Sequence, residues 1–287
     1  MAAPWVVDAH QHFWDPSAAH YPWMTDELAP IRRRFGPEDL RPLLAACGVD
    51  RTVLVQTRAS LAESREFLAT AARTDFIAGV VGWVDLTAPD VRAQLAALRA
   101  SPEGRWLVGI RHQAQDESCP RWLLRADVRR GLEAVGECGL VYDLLVTTRE
   151  LPAAVQVARD LCDLRLVLDH IAKPPIRTRT LQPWADALAP LGECANVSCK
   201  LSGLVTEADW RTWRPDDLVE CVRRAFSWFG EDRMLFGSDW PVCLLAGSYA
   251  AVLSALRYAL GDLSSAAQAK IFGGNAVRTY RLSLDSR

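Results

Sequence analysis

The sequence predicts a single-domain α/β protein, a TIM-like (β/α)8 barrel, on three observations. Short apolar runs recur eight times along the 287 residues, at about 36 residues per unit, within the roughly 250-residue scale of such barrels. Amphipathic stretches separate the runs, the alternation expected of parallel strands joined by crossover helices. No GxGxxG or P-loop follows any run, which disfavours the nucleotide-binding open sheet, the other fold with that alternation.

The strand candidates are 6–12, 52–57, 76–85, 107–113, 140–146, 164–171, 195–202 and 234–240. Several are apolar on both parities, as parallel strands covered on both faces should be. Helix punctuation falls between them. Pro37-Glu38-Asp39 opens a helix with acid in its first turn and Gly48 closes it. Residues 61–73 place Leu61, Phe67, Leu68 and Ala71 on one face. Asp127 is the expected cap of a helix stopping at Gly139, Pro215-Asp216-Asp217 starts one ending near Gly230, and the last helices follow Ser248 and Ser264. No linker or composition break appears, so one domain over residues 1–287 is the simplest account. The stretch 15–38, rich in Trp, Tyr, Pro and Arg, is expected to lie over the barrel mouth.

Half of the residues are hydrophobic and the formal net charge is −2. That balance argues against a nucleic-acid partner and against a polybasic membrane anchor. No apolar run reaches the roughly 18 residues of a membrane span, and no basic-then-apolar leader precedes Asp8. The eight cysteines contain no CxxC pair, and scattered thiols suit a reducing compartment, so a cytoplasmic protein is expected. Nothing in the sequence specifies an oligomeric state.

Chemistry gathers at the predicted carboxyl ends of the strands. Of five histidines, His10 and His12 end the first strand, His112 the fourth and His170 the sixth; Asp239 ends the eighth. In a barrel these ends build the active face. Residues two apart on a strand share a side, so His10 and His12 should both project into the mouth. Imidazoles converging with a carboxylate suit a zinc or similar ion at His10, His12, His170 and Asp239. The same Asp239 can instead act as base toward water attacking a carbonyl, with His170 as ligand or hydrogen-bond donor. Arg111 and His112 are neighbours of opposite parity, so one of them should face the pocket. Lys200 and Ser202 share a parity, and Lys200 is a candidate for binding a substrate hydroxyl or carboxylate. Trp14, Trp23 and Trp240, with Tyr21, are candidate aromatic walls for a sugar ring.

Six motifs in order, Val-Asp-Ala-His-Gln-His-Phe-Trp-Asp, Tyr-Pro-Trp, Gly-Ile-Arg-His, Asp-His-Ile-Ala-Lys-Pro, Cys-Lys-Leu-Ser-Gly and Phe-Gly-Ser-Asp-Trp-Pro, span almost the whole chain. Together they resemble the amidohydrolase-2 branch of the amidohydrolase superfamily, in particular its L-fuconolactonase and L-rhamnonolactonase group. The resemblance implies a distorted barrel with His10, His12, His170 and Asp239 lining the site and Asp239 as general base. It departs from the binuclear members, which bridge two metals through a carboxylated lysine late in the fourth strand. Here that strand ends Gly-Ile-Arg-His-Gln.

The expected reaction is hydrolysis of a small-molecule sugar lactone to its acid, with no essential metal and room for one zinc or other divalent ion. A lactone carbonyl is electrophilic enough for a base and a few donors to suffice. The alternative is a zinc-dependent decarboxylase acting on a small carboxylic acid through the same residues.

Overall fold

The computed structural model describes residues 4–284. All eight expected strands form, in one parallel sheet of sequential order. They are β1 (Val7–Gln11), β2 (Arg51–Val55), β3 (Ile77–Gly82), β4 (Leu107–His112), β5 (Val141–Leu144), β6 (Leu166–Leu168), β7 (Val197–Leu201) and β8 (Met234–Phe236). The sheet closes just beyond β8, where His12 N–H donates to Trp240 O at 2.7 Å and Asp239 N–H to His10 O at 2.8 Å. Closure removes the edge that an open sheet would expose.

Helices α1 (Pro37–Cys47), α2 (Leu61–Ala72), α3 (Val91–Ala100), α4 (Ala126–Glu137), α5 (Leu151–Asp160), α6 (Trp184–Gly192), α7 (Pro215–Phe229) and α8 (Tyr249–Leu260) follow the strands in turn. Their ends obey local chemistry. The Asp39 carboxylate accepts from Gly36 N–H at the start of α1, and Gly48 ends it in the left-handed region at φ 66°. Ser60 and Ser248 accept from backbone N–H groups in the first turns of α2 and α8. Asp127 corrects the expectation: Arg125 occupies the cap position of α4, and Asp127 lies inside the first turn, where a carboxylate still favours the positive helix end. No helix among the described residues is long and apolar enough to cross a membrane.

The large core lies between strands and helices. A smaller cluster, with Val7, Val53, Val81, Val141, Val167 and Leu235 from the strands, is closed by Tyr280 and Leu282. These last residues belong to a terminal unit: α9 (Ser265–Ala269), a π-helical turn Lys270–Gly274, and α10 (Asn275–Tyr280). Gly273 packs so tightly on the Trp5 carbonyl that a Cβ there would overlap it at 1.8 Å. The side-chain amide of Asn275 donates to Glu231 O and Met234 O, tying α10 to the start of β8.

Two strands end sooner than the apolar runs suggest. β6 stops at Leu168 and β8 at Phe236, so His170 and Asp239 sit in the following turns, both at positive φ (55° and 56°). Four consecutive non-glycine residues, His170 to Lys173, occupy that left-handed region. Each such placement costs on the order of 1 kcal/mol and persists only where the surroundings impose it. Trp184 Nε1–H, donating to Ile171 O at 2.8 Å, is one such restraint.

Candidate active site

A column of buried ionisable groups runs up the barrel axis. At its base the Tyr280 hydroxyl donates to the Asp143 carboxylate at 2.8 Å. Asp143 accepts from Lys200 Nζ at 2.6 Å, and Lys200 also pairs with Asp169 at 2.9 Å. Asp169 in turn accepts from Arg111 Nη1 at 3.0 Å. Gln56 steadies the guanidinium through its carbonyl and side-chain oxygens. Burial pushes the Asp143 carboxyl up to about 6 against the pull of Lys200. Asp169 is equally buried, but Lys200, His10 and Arg111 outweigh that burial and hold it well below the usual carboxylate range.

His10 sits above this column. Its Nδ1 lies 3.3 Å from Asp169 Oδ1 and 3.1 Å from Lys200 Nζ. Donation from Nδ1 to Asp169 leaves the Nε2 lone pair facing His12 and Asp239, the orientation a ligand or acceptor histidine needs, with Arg111 Nη1 also within 3.3 Å of it. β1 delivers this geometry through a register shift between Asp8 and Gln11. In a regular strand Asp8 and His10 would share a side; instead Asp8 meets the Tyr249 hydroxyl on α8 at 2.8 Å while His10 turns inward. Gly237 makes room, since a Cβ there would stand 2.7 Å from His10 Cβ.

The mouth holds the other expected groups. His12 Nδ1–H donates to Val55 O at 2.7 Å, so its Nε2 carries the lone pair, 3.1 Å from His10 Nε2 and 3.4 Å from Asp239 Oδ1. His10 Nε2 is 3.7 Å from the same oxygen. His170 stacks at a tilt beside His10, with ring centres 4.5 Å apart, and its Nδ1 meets Ser202 Oγ at 2.9 Å. Gly203, at φ 63°, allows this approach because a Cβ would come within 2.6 Å of that imidazole. Burial lowers His170 to about 4, keeping it neutral near pH 7. Burial acts to raise Asp239, but the histidines around it, His170 foremost, hold it below its ordinary value and therefore ionised.

These groups open on a cavity of about 450 Å³ lined by His12, Trp23, Arg111, His170 and Asp239, with Leu28 and Leu245 at its rim. The 15–38 connection contributes Trp23 and Leu28, as its expected place over the mouth requires.

Other candidates fall elsewhere. Of the neighbours Arg111 and His112, alternation sends Arg111 inward. His112 turns away, held by Trp83 Nε1–H and Glu117 and stacked on Trp122 at 4.2 Å, so it is no substrate group. Trp14 is packed beneath the mouth loop against Trp23 and Phe35, its Nε1–H on Ile31 O. Trp240 is buried against Phe13 and Phe35. Lys200 is fully buried under His10, its charge spent on two carboxylates, so it supports the site instead of touching substrate.

The sequence does not single out Asp143 or Tyr280 as site residues, nor the cavity-lining Gln113, Gln115, Asp116, Lys173 and Glu207. Asp169 and Lys173 stand inside the quoted Asp-His-Ile-Ala-Lys-Pro motif. Strand alternation gives Asp169 the opposite parity to His170 and so turns it away from the site, but the strand ends at Leu168, before either residue.

One nitrogen from each of His10 and His170 and one Asp239 oxygen lie within 4.8 Å of one another. Two buried imidazoles and an ionised carboxylate form a donor set that fits one divalent ion. His12 is not part of that group, although its Nε2 lies 3.1 Å from His10 Nε2 and 3.4 Å from Asp239 Oδ1. The guanidinium and ammonium of Arg111 and Lys200 flank His10, where their charge opposes a second cation.

A carboxylate among buried imidazoles just beyond a strand end, over a polar cavity in a (β/α)8 barrel, defines a class of enzyme that activates water toward an electrophilic centre. The amidohydrolase family profile matches residues 7–282, and the chain belongs to that family. It is 43% identical over 286 residues to the L-fucono-1,5-lactonase of Burkholderia ambifaria, covering 98% of this chain and 97% of that one. To the L-fucono-1,5-lactonase of Burkholderia multivorans it is 41% identical, covering 96% of each. A crystal structure of a Burkholderia multivorans amidohydrolase with bound zinc superposes with a TM-score of 0.91 at 40% identity, over 97% of this chain and all of that one.

Proposed function

We propose that this protein is a hydrolase that opens a sugar lactone of the L-fucono-1,5-lactone type to its sugar acid. The observation that carries this reading is the ionised Asp239 carboxylate 3.4 Å from the His12 lone pair at the cavity floor, together with relatives named for that reaction.

In the proposed mechanism water is held between Asp239 and the His12 and His10 imidazoles. Asp239 accepts its proton as the water oxygen bonds to the lactone carbonyl carbon. Arg111 and a His170 Nε2–H, the latter set when Ser202 donates to Nδ1, face the oxygen on which negative charge develops. Collapse of the adduct breaks the bond from carbon to ring oxygen. Asp239 returns its proton to that leaving oxygen, so the net change is addition of one water. His10, His170 and Asp239 would hold a single divalent cation, which when bound would supply Lewis-acid polarisation; His170 Nδ1–H would then donate to Ser202, its Nε2 lone pair would serve the ion, and the donor role toward the oxygen would fall to Arg111. The chain's own base and donors suffice for a reactive six-membered lactone, so the ion assists without being essential.

A pH-indicator screen of purified protein against aldonolactones, with metal content measured on the same sample, tests this. Acid release from 1,5-aldonolactones is expected, with one zinc equivalent bound per chain and measurable turnover surviving chelator treatment. Total loss on chelation would make the ion essential, and carbon dioxide release without lactone opening would replace the reaction by decarboxylation.

A further inference from the structure

Two charged side chains in the cavity wall have no role in the chemistry above. Lys173 ends the left-handed turn that begins at His170, and Glu207 ends the short turn Val205–Glu207 beyond β7. Both line the cavity and both are partly buried. Among the described residues neither makes an ion pair within 4 Å or a side-chain hydrogen bond. Burial raises the Glu207 carboxyl, while Lys173 pulls it down and Asp239 pushes it up, so the three feel one another across the same space. Partly buried charges ordinarily hold a partner in the protein, and a strained turn spent on presenting an unpaired ammonium calls for a ligand.

We propose that Lys173 and Glu207 are specificity-determining residues, a wall that recognises the hydroxyl groups of a neutral polyhydroxylated ring while Asp239 works on its carbonyl. The inference rests on the lactone reading and deepens it. An ammonium that donates and a carboxylate that accepts match hydroxyls, which do both. Charge excludes the obvious rival class. Among the described residues three carboxylates, Glu207, Asp116 and Asp239, face the cavity against the one unpaired ammonium of Lys173, and Arg111 is already paired with Asp169, so a dicarboxylate or phosphorylated substrate meets net repulsion.

The test is steady-state kinetics of Lys173→Met and Glu207→Gln on two lactones of the same ring size, a 1,5-aldonolactone and unsubstituted δ-valerolactone. Each variant is expected to raise KM for the hydroxylated lactone about 10–100-fold, the range for hydrogen bonds to charged groups. The preference for the hydroxylated lactone over δ-valerolactone should fall by the same factor, any change in kcat from the altered charge near Asp239 being common to both substrates. Lys173→Arg should recover part of the loss. An unchanged preference between the two lactones, or equal losses on both, overturns the wall while leaving lactone hydrolysis standing. Wild-type protein that opens neither lactone defeats both readings. Thermal unfolding checks each variant's fold, and if one fails to fold the other decides.

Discussion

Asp239→Asn is expected to lower kcat by about 10²–10⁴-fold, the usual contribution of a positioned base, with the thermal midpoint nearly unchanged. Asparagine keeps the shape of the side chain. Asp239 owes its placement to backbone contacts that survive the change: its N–H on His10 O and its carbonyl accepting from Cys243. Ser238 is anchored separately, its N–H on Asp8 Oδ1, and its hydroxyl accepts from Trp240 N–H. What disappears is the charge. With His170 lowered to about 4 and His10 lowered by its burial, Asp239 is the carboxylate among the described residues that lies against the His12 and His10 imidazoles at the floor. For the same reason wild-type kcat/KM should stay level across roughly pH 6–8 and fall only as pH drops toward 4, where His170 gains a proton and the hydrogen-bonding pattern changes. Initial rates across pH, with circular dichroism on the variant, read out both effects. Near-normal turnover by Asp239→Asn would remove it from the role of base.

The second large effect is on stability. Lys200→Met is expected to destabilise the fold by about 3–5 kcal/mol, the range for stranding a buried charge, as measured by urea denaturation. The ammonium is fully buried and serves Asp143 and Asp169 together. Without it Asp143 keeps only the Tyr280 hydroxyl, while Asp169 keeps Arg111 and His10. Asp143, already raised to about 6, should then take up a proton on folding. Adding Asp143→Asn to Lys200→Met removes the stranded carboxylate and should return part of the loss, a coupling that a double-mutant cycle isolates. A cost below about 1 kcal/mol would mean the pair contributes little beyond filling space.

The barrel was legible because parallel strands buried on both faces leave continuous apolar runs, and their order needs no long-range information. His10, His12, His170 and Asp239 were legible because they are rare polar residues at run ends. Parity arguments were weaker. They held for Arg111 against His112, where β4 is regular. They failed at Asp169, where a three-residue strand gives way to a left-handed turn, and the bulge in β1 hides how Asp8 and His10 come to face opposite ways. The tryptophans at 14 and 240 show that an aromatic near a loop end has two uses, and only packing decides between wall and filler. Lys200 and Asp143 are 57 residues apart, and Asp143 and Tyr280 are 137 apart. No local pattern links such positions.

The phenol at the foot of that column has a consequence for how the molecule is made. A chain growing from its N-terminus completes all eight strands before the segment carrying Tyr280 exists, so until then Asp143 stands above an open floor. Seating of α10 closes that floor, and it can do so only after every strand has been made.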